Sequence, residues 1–422
     1  MILEINRVEF LKAWQAAERS CSVKSSVAAA TGILIKADEN GVSLEATDFK
    51  TAVKCVAEGV TVLEAGRAIL PVKLLGEFLK KIPTDTAVLE VKGERGVFKA
   101  GKTRTRFTTV PASEFPEIAG SDGAENFCVI AAQDLIRIIN EGSVASSKAS
   151  DFPKYLGTCL FKTLDGVITT AATDGKRLSL SKAMCDNSAD GGADALLPVD
   201  PLKELARLLG TGAADAKIQI LSDNSTVWFK LDGIEFSIRR VEATFPNFER
   251  ILSSEVLTSL KIMREDILSA LERIDIIART TISHLVVLHL STDTGFRLTT
   301  RAQDLGTTVE EIEDAEIEGN TLQVGFNSFY LQDGLKALKP GVIKIEFNGE
   351  EGQTRITQEN SDDFLYMLMP ARFTSQDIME DGGWSGVPRA AESESESVNE
   401  DDNDNAEFDG ESGADNNSEP EF

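Results

Sequence analysis

Apolar and polar positions alternate in three pairs of stretches along the chain: Gly32 to Ala37 and Val42 to Ala46, Gly157 to Lys162 and Gly166 to Ala171, and Leu285 to Ser291 and Gly295 to Thr300. A period of two predicts half-buried strands. Each pair runs into a polar turn, Thr47-Asp48, Thr173-Asp174 or Gln303-Asp304, and these turns lie 126 and 130 residues apart. A second landmark follows each turn (Ile69-Leu70-Pro71-Val72, Leu196-Leu197-Pro198-Val199, Leu322-Gln323-Val324-Gly325-Phe326) and opens an amphipathic helix. A third closes each copy at Val110-Pro111-Ala112, Val241-Glu242-Ala243 and Met369-Pro370-Ala371. Three landmarks in one order describe a unit used three times.

The helical period places two helices in each repeat. In the first, Glu9 to Arg19 carries Phe10, Leu11, Trp14 and Ala17 on one face, and the helix after Pro71 is expected to bury Leu74, Leu75, Phe78 and Leu79. Gln133 to Glu141 and Pro201 to Leu209 serve the second repeat, Arg264 to Ala278 and Ser328 to Leu338 the third. Further strands are predicted at Ala52 to Val56, Ala87 to Val91, Gly96 to Ala100 and Thr105 to Val110, at Lys217 to Leu221, Thr226 to Leu231 and Glu235 to Arg240, and at Val342 to Phe347, Thr354 to Gln358 and Phe364 to Met369. Strand runs follow one another instead of alternating with helices, which predicts an α+β fold with antiparallel sheets. The expected divisions are 1–119, 126–252 and 259–373, then an acidic tail at 374–422.

A chain of 422 residues agrees with about three domains. No run of about 18 apolar residues occurs, so no membrane span is expected, and Met1 to Arg7 lacks a signal peptide's unbroken apolar stretch. Cys21, Cys55, Cys128, Cys159 and Cys185 are scattered without a CxxC pair and read as idle thiols of a reducing cytoplasm. The net charge of −26 argues at first against a polyanionic partner, but 374–422 holds 16 acids against Arg389, leaving −11 for the body. That balance leaves room for a basic face. The tail's composition predicts disorder.

Catalytic motifs find no support. Gly96 to Thr103 matches the phosphate-binding GxxxxGK[ST] pattern and would make Lys102 the lysine of a P-loop ATPase. That chemistry needs a helix after Thr103, whereas Thr103 to Thr108 alternates as a strand, so Ala100-Gly101-Lys102 is predicted as a hairpin turn. His284 and His289, five apart, face opposite sides of a strand and cannot share a metal. Asp401 to Asn405 starts like a calcium loop but lacks its glycine and closing glutamate. No nucleophile elbow or catalytic triad is present, and no metal or cofactor is expected.

Bases recur on the helices instead. Lys12 and Arg19, Lys73 with Lys80 and Lys81, Arg137, Lys203 and Arg207, and Lys336 with Lys339 lie on predicted helices or their ends. One such pair is an ordinary solvated face; in repeated positions they would form an electropositive lining that follows phosphates without reading sequence.

Three further features, Ala172-Thr173-Asp174-Gly175-Lys176-Arg177-Leu178, Phe245-Pro246-Asn247-Phe248 and Met369-Pro370-Ala371-Arg372-Phe373, together with the threefold repeat, resemble the bacterial sliding clamp family, the β subunit of DNA polymerase III. The resemblance covers Met1 to Phe373. It implies three tandem clamp domains in a head-to-tail homodimer, a six-domain ring with helices inside and sheets outside that encloses double-stranded DNA without sequence preference. It implies a non-catalytic, cytoplasmic, nucleoid-associated processivity factor whose partners are the replicative polymerase catalytic subunit, a clamp loader, and other polymerases and repair proteins bearing clamp-binding peptides. The alternative is a β-rich three-domain scaffold that never closes a ring.

By the same resemblance, a peptide rich in Gln, Leu and Phe would dock between the second and third domains against Leu156, Thr173, Gly175, Lys176, Arg177, Leu178, Pro246, Arg250, Ile251, Met367, Met369, Pro370, Ala371 and Arg372. Arg177, Arg250 and Arg372 would be rim donors. Lys24, Lys154 and Tyr155 match loop positions that touch DNA, and Thr105 and Phe107 would meet Ile276 and Ile277 across the dimer contact. Lys176 stands where the family often has histidine and Ala371 where many members have methionine, which leaves the pocket roomier. The tail, with Trp384 as an anchor, is an extension that most relatives lack; it would compete for the pocket, repel DNA, or simply solubilise.

Overall fold

The computed structural model describes residues 1–378 other than 23, 24, 26, 149, 150, 190, 253 and 254; of 250 and 251 it describes the backbone. Lys24, Trp384, the Asp401 run and all the tail from 379 on lie outside the described residues.

Each repeat couples two helices to antiparallel sheet. The helices are α1 (Arg7–Glu18), α2 (Val72–Lys81), α3 (Ala132–Gly142), α4 (Val199–Leu209), α5 (Glu249–Leu252), α6 (Arg264–Ala278), α7 (Ser328–Ala337) and α8 (Ser375–Ile378). Asn6 and Asn327 cap α1 and α7, each side-chain oxygen accepting from two backbone N–H groups of the first turn at 3.0–3.3 Å, which satisfies donors a helix start leaves unpaired. The long helices pack pairwise, α1 on α2, α3 on α4 and α6 on α7. Their apolar stripes, including Trp14, Leu79, Leu135, Leu205, Leu271 and Leu335, are buried.

The sheets cross from one repeat to the next. Strand Thr51–Val56 of the first repeat pairs with Ile234–Arg239, the last strand of the second, which makes an eight-stranded sheet. Strand Arg177–Met184 of the second repeat pairs with Ser361–Leu368, the last strand of the third, within a nine-stranded sheet. Both seams therefore use one rule: the strand after the Thr-Asp turn accepts the final strand of the following repeat. Two strands in these roles remain at sheet edges, Thr103–Thr108, last of the first repeat, and Gly306–Ile312, which follows Gln303-Asp304.

Several expectations change. Leu74 is 40% exposed, because α2 turns Val72, Leu75, Gly76 and Leu79 to the core instead. Helix α4 begins at Val199 rather than Pro201; proline fits the first turn, where its missing N–H would have no partner. Strands Val60–Glu64 and Arg177–Met184 were not predicted. The P-loop reading is excluded: Arg95–Ala100 and Thr103–Thr108 form a hairpin turning at Gly101 (φ 56°). Gly96 is explained by packing, since a Cβ there would stand 2.3 Å from the Phe107 ring.

The histidines are structural. His284 precedes strand Leu285–Ser291 instead of lying in it, at φ 49°, with its ring centroid 4.5 Å from that of Phe329. His289 is buried, its Nε2 2.7 Å from Thr299 Oγ1, and burial, aided by Arg297, lowers its pKa to about 4. A depressed folded-state pKa means the unfolded chain binds the proton first as pH falls below about 6.5. Stability is therefore complete above that value and falls toward pH 4, by up to about 3 kcal/mol from this group. His289→Gln should flatten the wild-type loss of melting temperature between pH 7 and pH 4.5, and identical pH profiles would refute the assignment.

Candidate functional site

The repeated Thr-Asp landmark is a hydrogen-bonded turn. Thr173 Oγ1 donates to the Arg177 carbonyl (2.6 Å) and accepts from the Gly175 N–H (3.0 Å), while Asp174 Oδ1 accepts from the Lys176 and Arg177 N–H groups at 2.9 and 3.1 Å. Thr47 and Asp48 hold Phe49, Lys50 and Thr51 in the same pattern. The second-repeat turn delivers the chain to the seam, where Arg177 lies opposite Leu368 and Leu178 opposite Met367. The Met369 N–H then donates to the Lys176 carbonyl at 2.9 Å. Two sequence landmarks some 190 residues apart, Thr173 to Leu178 and Met367 to Ala371, are thus brought side by side.

Arg177 fastens this seam. Its Nε donates to Asp174 Oδ2 at 2.8 Å, and its Nη1 donates to Asp333 Oδ2 on α7 at 2.7 Å and to Tyr366 Oη at 3.2 Å. The guanidinium also lies 4.3 Å from the centroid of the Tyr330 ring, within cation–π range. Burial opposes its charge, but Tyr366, Asp333 and Asp174 outweigh burial and hold the group protonated. With its side chain only 9% exposed, Arg177 is a seam contact and not the rim donor expected. The correction comes from α7, which brings Asp333 and Tyr330 over the turn.

Beside Arg177 lies an apolar cluster. Leu178 and Met367 are buried in it with Leu160, Leu196, Phe248 and Leu365, and Tyr155 and Phe245 pack against it. Phe245 meets Tyr155 and Phe248 edge-on, with centroids 6.1 and 6.0 Å apart. Tyr155 is therefore half-buried here. A groove of about 420 Å³ borders the cluster, lined by Leu160, Leu196, Val241, Phe245 and Pro246 with Lys162 and Arg240. Of the other expected pocket residues, Gly175, Lys176, Pro246, Met369 and Arg372 are exposed, and Leu156, Thr173, Pro370 and Ala371 half-buried. The Ala371 N–H donates to the Gly325 carbonyl at 2.7 Å. The side chains of Arg250 and Ile251 lie outside the described residues. Asp333, Tyr330 and Tyr366 were missed by sequence reading, since no local pattern links them to Arg177.

The helix bases are less free than their spacing suggests. Arg137 is tied to Glu141 (3.1 Å), Ser181 and the Lys182 carbonyl, so it anchors α3 to strand Arg177–Met184 instead of reaching outward. Lys80 pairs with Glu18 (3.4 Å), Lys81 with Glu77 (2.7 Å), Arg19 with Glu204 (3.2 Å), and Lys336 with Glu272 (3.7 Å). Arg207 also pairs with Glu204. Exposed Lys12, Lys73, Lys203 and Lys339 have no ion-pair partner among the described residues.

Three family models match in succession: the N-terminal domain of the DNA polymerase III beta subunit over residues 1–119, its central domain over 129–247 and its C-terminal domain over 249–372. The chain belongs to the DNA polymerase III beta subunit family. Curated relatives include the beta sliding clamp of Bacillus subtilis, 23% identical over 88% of this chain and 100% of the relative, and that of Vibrio cholerae, 26% identical over the same shares. Among solved structures, the Bacillus subtilis sliding clamp superimposes with a TM-score of 0.83 at 23% identity, over 89% of this chain and 100% of that one. The Pseudomonas aeruginosa clamp bound to griselimycin gives 0.82 at 24%, over 88% and 100%. The chain is accordingly a sliding clamp, a non-catalytic DNA-replication processivity subunit.

In this clamp, Arg177→Ala would strand Asp174, Asp333 and Tyr366 at the seam. We expect a loss of roughly 2–3 kcal/mol in denaturant unfolding, below the range for a fully buried pair because Asp333 is half in water. Arg177→Lys should recover only part, since an ammonium cannot reproduce the fork. A loss under about 0.5 kcal/mol for Arg177→Ala, the usual size of a surface change, would show that the contact is incidental.

Proposed function

We propose that two copies of this clamp close head to tail into a ring around duplex DNA, with α1 to α4, α6 and α7 facing the duplex, and that the seam of the second and third repeats docks partner peptides. The observation that carries this reading is the seam rule. Both internal seams join the strand after the Thr-Asp turn to the last strand of the next repeat. Edge strand Thr103–Thr108 and edge strand Gly306–Ile312 are the unused members of such a pair, so a second copy extends both sheets. Pairing of exposed edges is what unprotected strands favour. Thr105 and Phe107 lie on the first of these strands, and Ile276, 57% exposed, and Ile277 lie on α6, which packs against the second.

In this reading the peptide site is the rim of the apolar cluster, with exposed Met369, Lys176, Pro246 and Arg372 as its edge and buried Leu178 and Met367 in its floor. An apolar floor with a polar rim suits a short peptide anchored by Leu or Phe, and methionine adapts to more than one anchor. The repeat limits inferred from sequence, 1–119, 126–252 and 259–373, define the six bodies of the ring. Cytoplasmic, nucleoid-associated work alongside a polymerase, a clamp loader and repair proteins completes the reading.

Light scattering should give about 91 kDa, twice the chain mass of 45.7 kDa, and the combined Phe107→Asp, Ile276→Asp variant about half. Clamp loaded onto nicked circular DNA should remain bound and should run off after linearisation. A wild-type monomer, or retention indifferent to DNA ends, would favour the open scaffold instead.

A further inference from the structure

The helical face is where this chain departs from a simple basic channel. Glu204 on α4 receives two cations at once: Arg19 at the end of α1, whose Nη1 is 3.2 Å from Glu204 Oε2, and Arg207 one turn along α4. The first contact spans 185 residues and joins the first repeat to the second. Neither partner is fully in water, with Arg19 25% and Glu204 35% exposed. Glu18, Glu77 and Glu272 also pair with Lys80, Lys81 and Lys336, the last two pairs between well exposed side chains. Most of the bases that the repeat presents on its helices therefore already have a carboxylate.

We propose that Glu204 is a masking counter-ion for Arg19 and Arg207, which keeps the helical face charge-balanced so that it holds the phosphate backbone of duplex DNA by enclosure rather than by ion pairing. The inference rests on the helices facing DNA as proposed above. Its physical basis is counter-ion release. Each phosphate neutralised by a free cation steepens the dependence of log affinity on log salt by about 0.9. A cation that must first leave a carboxylate contributes little. With Lys12, Lys73, Lys203 and Lys339 as the bases left without an ion pair among the described residues, direct binding to linear duplex should show a slope no steeper than about −4, against about −9 if all ten described bases of the helices took part. A shallow slope means that DNA passes along the face without being gripped at fixed points.

The test uses the full chain, a short fluorescent linear duplex and a potassium chloride series read by anisotropy. Glu204→Gln releases two arginines, so its slope should steepen by about two and its low-salt affinity should rise several-fold. Asp200→Asn is the control. It removes an equal charge from the same helix, but Asp200 is exposed and has no ion-pair partner among the described residues, so its slope should match wild type. The triple variant Glu204→Gln, Arg19→Gln, Arg207→Gln should return to the wild-type slope. Glu18→Gln, which frees Lys80 alone, should steepen it by about one and guards against a local folding defect at position 204. Equal slopes for Glu204→Gln and Asp200→Asn would overturn the proposal, as would a wild-type slope near −9. Failure of the ring reading would show separately, as wild-type clamp not retained on nicked circles whatever the slopes.

Discussion

Backbone pairing across the seams is the constraint on which the structure depends. At each internal seam an antiparallel ladder makes one sheet of two repeats, and its register is set at Ile238 opposite Thr51 and at Leu178 opposite Met367. Because side chains alternate faces along a strand, a slip of one residue would exchange every buried position for an exposed one. It would move Leu178, Leu180 and Met367 out of their cluster. Arg177 adds directional contacts to the second seam that a ladder alone lacks, drawing α7 onto the turn. The first seam has Thr51 in that place, bonded to Asp48, and holds without an arginine.

This architecture separates two tasks. The sheets, with their apolar cores, carry the fold and its joints. The helices bury one stripe and leave the other for charge. On that outer stripe acids and bases are interleaved closely enough to pair within and between helices. Such exposed pairs add little stability, so their consequence lies in what they leave available to an anionic partner.

Much of the fold was legible because local pattern and tertiary demand agreed. Helix α6 runs over the predicted residues, and the hairpin at Gly101 followed from alternation through Thr103 to Thr108 against a misleading motif. The turn at Asp174 was legible as a landmark, but not its purpose. Arg177 could be assigned only after strand pairing and α7 supplied Asp333, Tyr330 and Tyr366 from more than 150 residues away. The contacts of Arg137 and Tyr155 were illegible for the same reason: spacing along a helix or loop says which way a side chain can point, not what stands there. Leu74 failed because α2 carries more apolar residues than its buried stripe holds. Strand Arg177–Met184 escaped notice although Leu and Ser alternate in it; its serines are buried, with Ser179 donating to the Gly142 carbonyl and Ser181 to Glu141.

The two Thr-Asp turns also differ in what they cost. Gly175 adopts φ 86° freely, whereas Phe49 takes φ 70° in the equivalent place, a conformation disfavoured for a bulky side chain by about 1 kcal/mol or more. Phe49 is 45% exposed, so burial returns little of that energy. The hydrogen bonds of Thr47 and Asp48 impose the turn whatever residue occupies it. The copies of the repeated unit are thus not energetic equals: the first holds a strained phenylalanine at the position where the second has a glycine that adopts the same turn freely.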